Sequence, residues 1–409
     1  MGWIGVLILI DHTLGSIILK NSGDKDIFSW NIISCNQLKT KLAMKLKFSI
    51  LLIFLSELCF GQTLQQIDLL IENEIKSDKV AALAVAVIDS GKVVHLSASG
   101  FRDLESELKA TTNTPFHIAS VSKTVTNLAV FKLVESEKID LNTDINEYLP
   151  FEVKNPYYPN DIITVRNLLN HRSGIKDDYE IYEPLWSIPN GDSKLELADF
   201  LKDYLDVNGK LYKKEHFESN SKYKSFSYSN TGVALLGLIV ENVSGKKYEE
   251  FCQQNIFKPI GMINTSWFLK NLDSNLVAKT YVYQDSLGLI FKGHNGYPDF
   301  PGGQLRTSIS DFSNLLVAYL NSENTKFILQ KETTLKITPS PKTSHAGFFT
   351  WFLAAINNHL YYIHGGGDTG VRTIVIMDVT LKRGIIIFAN SEYDNRNLYK
   401  SIEMEMWSK

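Results

Sequence analysis

Apolar residues recur at two different spacings along this chain, and these spacings separate strand regions from helix regions. Short apolar runs rich in β-branched residues predict strands near both ends, whereas a spacing of three to four residues predicts helices. The predicted strands cover residues 80–88, 93–99, 360–364, 373–379 and 384–389. The predicted helices cover residues 62–75, 164–170, 195–205, 231–243, 308–320 and 396–407, with another beginning at Ser120. Strand-forming sequence is therefore concentrated at the two ends of the chain.

This layout predicts an α/β sheet region combined with an all-α region. We expect an antiparallel sheet, flanked by helices from both chain ends, to occupy residues of about 62–140 and 300–409. Residues 141–299 then form an inserted helical domain, because their apolar positions have mainly helical spacing. The tetrapeptide Asp-Ser-Gly-Lys at residues 89–92 predicts a hairpin between the first two strands.

The beginning of the chain has the three parts of a secretory signal peptide. Lys45 and Lys47 precede an apolar run at residues 48–55, and Gly61 marks a small-residue end. The run is far shorter than the roughly 20 residues that a membrane-spanning helix needs. We therefore expect a signal peptide at residues 44–61 and a mature domain at residues 62–409. We then expect Met44 to be the initiator and residues 1–43 to come from a misplaced start codon, with a genuine N-terminal extension as the alternative.

Such a signal predicts an exported protein, either periplasmic or secreted. A lipoprotein attached through Cys59 is a second interpretation, which the bulky Leu58 disfavours. Removal of residues 1–61 leaves Cys252 alone, so we expect neither an intramolecular disulfide nor a thiolate metal site. The net charge of −3 gives no indication of a nucleic-acid partner, and the mature chain has no predicted transmembrane span.

The most informative chemistry lies in Ser120-Val121-Ser122-Lys123, where an extended segment meets an apolar helix. Positions three apart share a helix face, so Lys123 is expected one turn beyond Ser120 with both side chains pointing the same way. A serine hydroxyl becomes a good nucleophile when a neighbouring group takes its proton, and a desolvated lysine can do this. The same spacing recurs in polar segments, for example at Ser106 and Lys109. The surrounding sequence therefore decides which of these pairs is a candidate catalytic pair.

Two further motifs accompany this one. Tyr228-Ser229-Asn230 directly precedes a predicted buried helix, where a tyrosine could shuttle a proton and an asparagine could bind a substrate amide. His364-Gly365-Gly366-Gly367 follows a predicted strand, and glycines there allow a substrate to approach the backbone closely. A backbone N–H from this segment could complete an oxyanion hole with that of Ser120.

In this order, the three motifs resemble the serine β-lactamase-like family, which includes class C β-lactamases, D-alanyl-D-alanine carboxypeptidases, D-aminopeptidases and related esterases. The resemblance covers roughly residues 80–409 and extends to longer blocks at residues 116–123, 163–175 and 301–305. It implies a β-lactamase/penicillin-recognising transpeptidase-like fold and a serine hydrolase domain over residues 62–409. It gives no indication of a cofactor or a metal.

The resemblance also implies roles for individual residues. Ser120 is the expected acylated nucleophile and Lys123 its activating partner. Tyr228 is expected to take the serine proton and later to direct water to the acyl-enzyme. Asn230 is expected to orient the substrate, and the N–H groups of Ser120 and Gly367 to form the oxyanion hole. The blocks at residues 171–174 and 302–303 are interpreted as structural.

The third motif departs from that of class C β-lactamases, which have lysine at its first position. His364 replaces a permanent ammonium with a group that is largely neutral at pH 7. Histidine is common here in the peptidase and esterase branches, which argues against an efficient β-lactamase. We expect His364, Gly366 and Gly367 to contact substrate. Arg372 is a candidate replacement cation, although an exposed strand-end arginine is the simpler interpretation.

We therefore expect an exported serine hydrolase that forms an acyl-enzyme on Ser120. Its substrates would be esters or D-amino-acid amides and peptides, and cell-wall material is one source of such small molecules or peptides. Two alternatives stay open. One is a weak β-lactamase, and the other is a non-catalytic peptidoglycan-binding or penicillin-binding protein. The intact set of Ser120, Lys123 and Tyr228 argues against the second alternative.

Overall fold

The computed structural model describes residues 61–77, 79–188, 191–220, 224–323, 328–338 and 349–408, together with three short strands and positions 44 and 49 before them. The chain divides into two compact units, residues 1–66 and residues 67–409. In the first unit, β1 (Val6–Asp11), β2 (Ser16–Asn21) and β3 (Ile33–Ser34) form an antiparallel sheet in that order. Most of the expected signal peptide lies outside the described residues, so that expectation stays a prediction.

The second unit contains the strands of a larger sheet and several short ones. They are β4 (Ala82–Asp89), β5 (Lys92–Asp103), β6 (Leu108–Lys109), β7 (Phe116–His117), β8 (Thr265–Ser266), β9 (Thr280–Gln284), β10 (Gly288–Gly293), β11 (Arg306–Thr307), β12 (Phe352–Ile356), β13 (His359–Asp368), β14 (Val371–Asp378) and β15 (Arg383–Ala389). Seven of these strands form one antiparallel sheet in the order β12-β13-β14-β15-β4-β5-β6.

Within the described residues, the α-helices are α1 (residues 61–75), α2 (Ser122–Glu135), α3 (Val165–Leu169), α4 (Tyr179–Tyr182), α5 (Leu197–Leu205), α6 (Asn230–Ser244), α7 (Tyr248–Cys252), α8 (Ile309–Leu320), α9 (Lys331–Ile337) and α10 (Arg396–Trp407). Each helix that the apolar spacing predicted is present, whereas α4, α7 and α9 were not predicted. Thr164 caps α3 and forms a reciprocal capping box with Asn167. Among the described residues, none of the helices is long and apolar enough to cross a membrane.

The two chain ends meet inside one sheet, which confirms the predicted fold class. β15 from the C-terminal part pairs antiparallel with β4 from the N-terminal part. The predicted hairpin joins β4 to β5, and both of its central residues, Ser90 and Gly91, have positive φ values of 51° and 73°. Such a turn matches the twist of the strands on either side. Strands from the C-terminal part and strands from the N-terminal part therefore form one continuous sheet, joined where β15 pairs with β4.

The middle region is less purely helical than the sequence predicted. Strands β8, β9 and β10 all lie within residues 141–299, and β9 and β10 form a separate two-stranded hairpin. β8 joins β7 and β11 in a small antiparallel sheet. Strands of two residues carry no periodic pattern, and an isolated hairpin depends on its packing rather than on its own sequence signal.

Helix α2 lies at the centre of the second unit, where it contacts α6 and the short helical turn Phe300–Gly302. Helix α8 packs on β4, β5 and β15, and α10 packs on β15. Helix α6 approaches the Phe300–Gly302 turn so closely that a Cβ atom on Gly237 would lie 2.5 Å from Cγ of Pro301. This close packing fixes the start of α2 relative to the start of α6 and to residues 300–302.

Candidate active site

Ser120 lies in a short 3₁₀ turn, Ala119–Val121, directly before α2, so the regular helix begins two residues later than predicted. Ala119 has a φ of 47°, a left-handed conformation that is uncommon for a residue with a side chain. Strain of this kind persists where neighbouring structure holds it. Here the hydroxyl of Thr373, on β14, donates a hydrogen bond to the carbonyl of Ile118 at 2.8 Å. The sheet thus holds the turn that presents Ser120.

The ammonium group of Lys123 is fully buried and is bonded to three different segments. Its Nζ donates to Oγ of Ser120 at 3.1 Å and to Oδ1 of Asn230 at 2.7 Å. It also donates to the backbone carbonyl of Gly302. A lysine ammonium has three donors, and each of them has an acceptor here. The structure therefore brings together the predicted Ser120, Lys123 and Asn230, and it adds Gly302, which the sequence suggested was only structural.

Tyr228 covers this group from the solvent side. Its ring centroid lies 4.9 Å from Nζ of Lys123, and 37% of the residue is exposed. The ring stacks on the imidazole of His171, with centroids 4.5 Å apart and an angle of 28° between the planes. Nδ1 of His171 in turn accepts a hydrogen bond from the N–H of Ser229 at 3.3 Å. His171 thus orients the tyrosine, a contact that the sequence did not reveal.

Asp177 anchors the start of α6, and the sequence gave no signal for it. Its carboxylate accepts hydrogen bonds from the N–H groups of Asn230 and Thr231 at 2.7 and 3.0 Å. It also accepts from the hydroxyls of Ser229 and Thr231 at 3.1 and 2.6 Å. A carboxylate at a helix N-terminus satisfies unpaired N–H groups and interacts favourably with the helix dipole. Asp177 therefore positions the segment that carries Tyr228 and Asn230.

The third motif lies on β13, where its residues differ in exposure. His364 is buried, Gly366 is buried and Gly367 is exposed. A Cβ atom on Gly366 would lie 2.2 Å from Oγ1 of Thr373 and 2.4 Å from the carbonyl oxygen of Ile118. A side chain at this position would clash with both atoms, which explains why the residue is glycine. Gly366 therefore allows the Ser120 turn to pack on β13, and its contact with substrate stays a prediction.

His364 is a neutral group beneath the site. Its Nδ1 is 2.9 Å from the carbonyl of Gly365, and its ring packs near Trp351 and Phe352. Its Nε2 is buried and has no hydrogen-bond partner among the described residues. Burial, reinforced by the Lys123 ammonium, lowers the pKa of His364 to about 3. The imidazole therefore does not supply the positive charge that a lysine would supply at this position.

A cavity of about 130 Å³ opens beside Ser120. Its lining includes Ser120, Asn230 and Gly367, so the two predicted oxyanion-hole residues face one space. Two carboxylates that the sequence did not predict, Asp299 and Asp368, also line it. Asp299 directly precedes the short turn at residues 300–302, and Asp368 directly follows the glycines of the third motif. Because Asp299 and Asp368 are far apart in the sequence, only the fold brings them together.

Burial shifts the ionisation of both carboxylates. Desolvation, together with the nearby Asp177 carboxylate, raises the pKa of Asp299 to about 7, although Lys123 opposes the shift. Burial also raises the pKa of Asp368. One oxygen of Asp368 accepts from the hydroxyl of Tyr297, and the other accepts from the N–H of Thr369 at 2.7 Å. The cavity beside Ser120 thus contains two carboxyl groups whose pKa values are both raised.

The idea that Arg372 replaces the missing cation of the third motif stays a prediction, since Nη1 of Arg372 would lie 2.8 Å from a Cβ atom on Gly367, which lines the cavity beside Ser120. Arg372 is exposed on β14, opposite Gly367 in the strand register. Its side chain lines a different cavity, of about 610 Å³, together with Asp394 and Arg396. Arg372 does not line the cavity that contains Ser120.

Within the described residues, no group of three or more His, Cys, Asp or Glu side chains is arranged to hold a metal ion.

A serine and a buried lysine at the start of a helix, held between an antiparallel sheet and a helical layer, define the penicillin-recognising class of serine hydrolases. A family profile described as Beta-lactamase matches residues 67–401. The chain therefore belongs to the Beta-lactamase family, whose members are generally serine hydrolases.

Several proteins are similar to this chain. Protein flp of Staphylococcus aureus strain MRSA252 is 28% identical over 336 residues, which represent 80% of this chain and 64% of flp. The chain thus spans about 64% of the length of that relative. The octameric penicillin-binding protein homologue from Pyrococcus abyssi superposes with a TM-score of 0.67 at 22% identity, covering 84% of this chain and 77% of the homologue.

A D-amino acid amidase from Ochrobactrum anthropi, in complex with D-phenylalanine, superposes with a TM-score of 0.64 at 18% identity. The match covers 85% of this chain and 99% of the amidase. These two structural similarities confirm the predicted fold, an antiparallel sheet flanked by helices.

Replacing Gly366 with alanine is expected to slow acylation of Ser120 by about a hundredfold, because the added methyl group pushes the nucleophile turn away from β13. Gly365→Ala is the matched control, since a Cβ atom there would meet only the carbonyl oxygen of Thr373, at 3.9 Å. The rate of turnover of an activated ester, measured on both variants, checks this expectation. Equal rates for the two variants would contradict the packing role of Gly366.

The buried His364 is expected to make folding stability depend on pH. Its pKa is lowered in the folded protein, so the unfolded chain binds a proton at pH values where the folded chain does not. Stability therefore falls as the pH drops below the unfolded pKa of about 6.5. When the pH falls from about 7.5 to about 5, the unfolding free energy of the parent should decrease by about 2 kcal/mol more than that of His364→Asn. Denaturant unfolding at both pH values tests this, and an identical loss would contradict it.

Proposed function

We propose that this protein is an exported serine hydrolase that forms an acyl-enzyme on Ser120 and cleaves esters or D-amino-acid amides. The observation that carries the proposal is the buried Lys123 ammonium, which bonds Oγ of Ser120, Oδ1 of Asn230 and the carbonyl of Gly302. A buried charge requires such partners, since an unpaired one is strongly unfavourable. The three acceptors fix the lysine beside the nucleophile.

The proposed reaction has two steps. Oγ of Ser120 attacks the substrate carbonyl, and the bond to the alcohol or amine leaving group breaks as the new ester bond forms. The serine proton passes through Tyr228 to the leaving group, while the N–H groups of Ser120 and Gly367 stabilise the oxyanion. A water molecule then attacks the acyl-enzyme, releases the acid and restores the Ser120 hydroxyl. Asn230 binds the substrate amide in this scheme.

The third motif favours an esterase or D-peptidase over an efficient β-lactamase. A lysine in that motif would offer a permanent cation to the carboxylate of a β-lactam, whereas His364 is buried and neutral. The cavity beside Ser120 instead contains Asp299 and Asp368.

Export is part of the proposal and rests on the sequence before the domain. Residues 44–61 combine basic, apolar and small-residue parts in the order of a secretory signal. Export would place the hydrolase where cell-wall esters and peptides are accessible.

Covalent labelling tests the proposed function. The protein beginning at Gln62 is incubated separately with an activated short-chain ester, a D-alanyl amide and a fluorescent penicillin, and the acylated residue is identified by mass spectrometry. We expect label on Ser120 and turnover of the ester or the amide, with penicillin the slowest to react. Absence of both label and turnover with all three reagents would instead support the non-catalytic binding protein.

The control for this experiment is Ser106→Ala. Ser106 has the same spacing to Lys109 as Ser120 has to Lys123, but it is exposed. Ser120→Ala should abolish both label and turnover, whereas Ser106→Ala should leave both unchanged. Lys123→Ala should slow acylation strongly, because Oγ of Ser120 then lacks the hydrogen bond from the Lys123 ammonium group.

A further inference from the structure

A second cavity lies close to the catalytic residues and has a volume of about 220 Å³. Among the described residues, it shares no lining residue with the cavity beside Ser120. Its lining includes four aromatic side chains, those of Phe226, Phe349, Trp351 and Phe352. We call this space the aromatic cavity. The proposed reaction, as described above, leaves it without a role.

Tyr228 connects the aromatic cavity to the reacting groups. Its ring stacks on His171, which lines the cavity, and its centroid lies 4.9 Å from Nζ of Lys123. Lys123 in turn donates to Oγ of Ser120. In the proposed reaction Tyr228 passes a proton to the leaving group, so the leaving group departs on the side of Ser120 where Tyr228 lies. A cavity beside Tyr228 is therefore placed to hold that part of a substrate.

Ring contacts join this cavity to the second and the third motif. Phe226 lies two residues before Tyr228, and its ring meets that of Phe352 edge to face, with centroids 5.9 Å apart. Phe352 also packs on His364, with centroids 5.6 Å apart. The aromatic cavity is therefore bordered by residues that pack on both motifs.

One wall of the cavity is fixed by hydrogen bonds within the protein. Phe349 and Thr350 have φ values of 44° and 76°, in the left-handed region that is uncommon for residues with side chains. Oδ1 of Asn170 accepts from the N–H of Phe349 at 3.1 Å, and the side-chain amide of Asn127 donates to the Phe349 carbonyl. Asn127 lies one turn after Lys123, so α2 holds both the lysine and this wall. A preformed wall lowers the cost of binding.

A buried donor on this cavity lacks a partner. His171 is 2% exposed, and its Nε2 has no hydrogen-bond partner among the described residues. Burial, reinforced by the Lys123 ammonium, lowers the pKa of His171 to about 3, so the ring is neutral. Its Nδ1 accepts the N–H of Ser229, which leaves the ring proton on Nε2. A buried N–H normally has an acceptor, and an oxygen of a bound group would supply one.

Charge and size restrict what the aromatic cavity can hold. The exposed Arg172 lines it, and the guanidinium of Arg166 lies 5.6 Å from the ring centroid of Phe349. These two cations disfavour a positively charged ligand. An apolar protein cavity of roughly 150 Å³ can bind benzene. A space of about 220 Å³ therefore suits one aromatic ring together with a linking carbon and an oxygen.

We infer that the aromatic cavity binds the leaving group of the substrate, and that this group is an uncharged aromatic alcohol. Its ring packs between Phe226, Trp351 and Phe352, and its oxygen lies towards Tyr228 and His171. This inference rests on the proposed function and specifies the part of the substrate that Ser120 displaces. In acylation the bond between the carbonyl carbon and this oxygen breaks, and the alcohol leaves with the proton that Tyr228 delivers.

The test compares the benzyl and methyl esters of one short-chain acid. Both esters form the same acyl-enzyme and their alcohols are similarly acidic, so the ratio of the two kcat/KM values reports on binding of the alcohol part. We expect the parent to favour the benzyl ester by about tenfold, and Phe226→Ala to lose most of this preference, because Phe226 forms one wall of the cavity. Absence of the preference in the parent, or an unchanged preference in Phe226→Ala, would overturn the inference.

Phe291→Ala is the matched control for this comparison. Phe291 is a partly exposed phenylalanine that lines neither of the two cavities, so its removal should retain the parental ratio. Phe226 is 52% exposed, and its truncation is therefore expected to leave the fold intact. If Phe226→Ala nevertheless does not fold, Phe352→Leu is measured in its place, with the same expected loss of preference.

A binding measurement separates this inference from the proposed function. If neither ester is turned over, the proposed function fails, and fluorine NMR of p-fluorobenzyl alcohol with Ser120→Ala then tests the cavity alone. Binding that weakens about tenfold when Phe226→Ala is added would support the aromatic cavity as the site. Equal binding by the two proteins, or no binding by either, would reject it.

Discussion

One buried ammonium group sets the geometry of this active site. Lys123 has no exposure to solvent, so its charge is tolerated only because Ser120, Asn230 and Gly302 each accept one of its hydrogen bonds. Those acceptors belong to the nucleophile turn, the start of α6 and the turn before β11. The requirement to solvate one charge therefore forces three segments that are distant in the sequence to converge at a single point.

The surrounding structure stabilises that convergence from both sides. On the helical side, Asp177 bonds the first N–H groups of α6 and so holds Asn230 in place. On the sheet side, Gly366 and Thr373 support the backbone of Ile118, next to the nucleophile turn. The turn that carries Ser120 is thus held between two layers, which is the preorganisation that the proposed acyl transfer requires.

The sequence predicted local relationships well and distant ones poorly. The Ser120–Lys123 contact follows from helical spacing, and the Thr164 cap follows from its position before an apolar run. Nothing in the spacing along the chain indicated that Asp177 would cap α6, or that Asp299 would lie in one cavity with Asp368. These contacts depend on how the layers pack, and burial then decides the ionisation of the groups, which no linear pattern encodes.

The order of strands in the sheet has a consequence for folding. The turn that carries Ser120 packs on β13 and β14, and β15 joins the sheet beside β4. The contact between Thr373 and Ile118 joins residues that are 255 positions apart in the sequence, and contacts of such long sequence separation form late in folding. A chain that lacks β13 and β14 would carry Ser120 and Lys123 without the sheet that supports their turn.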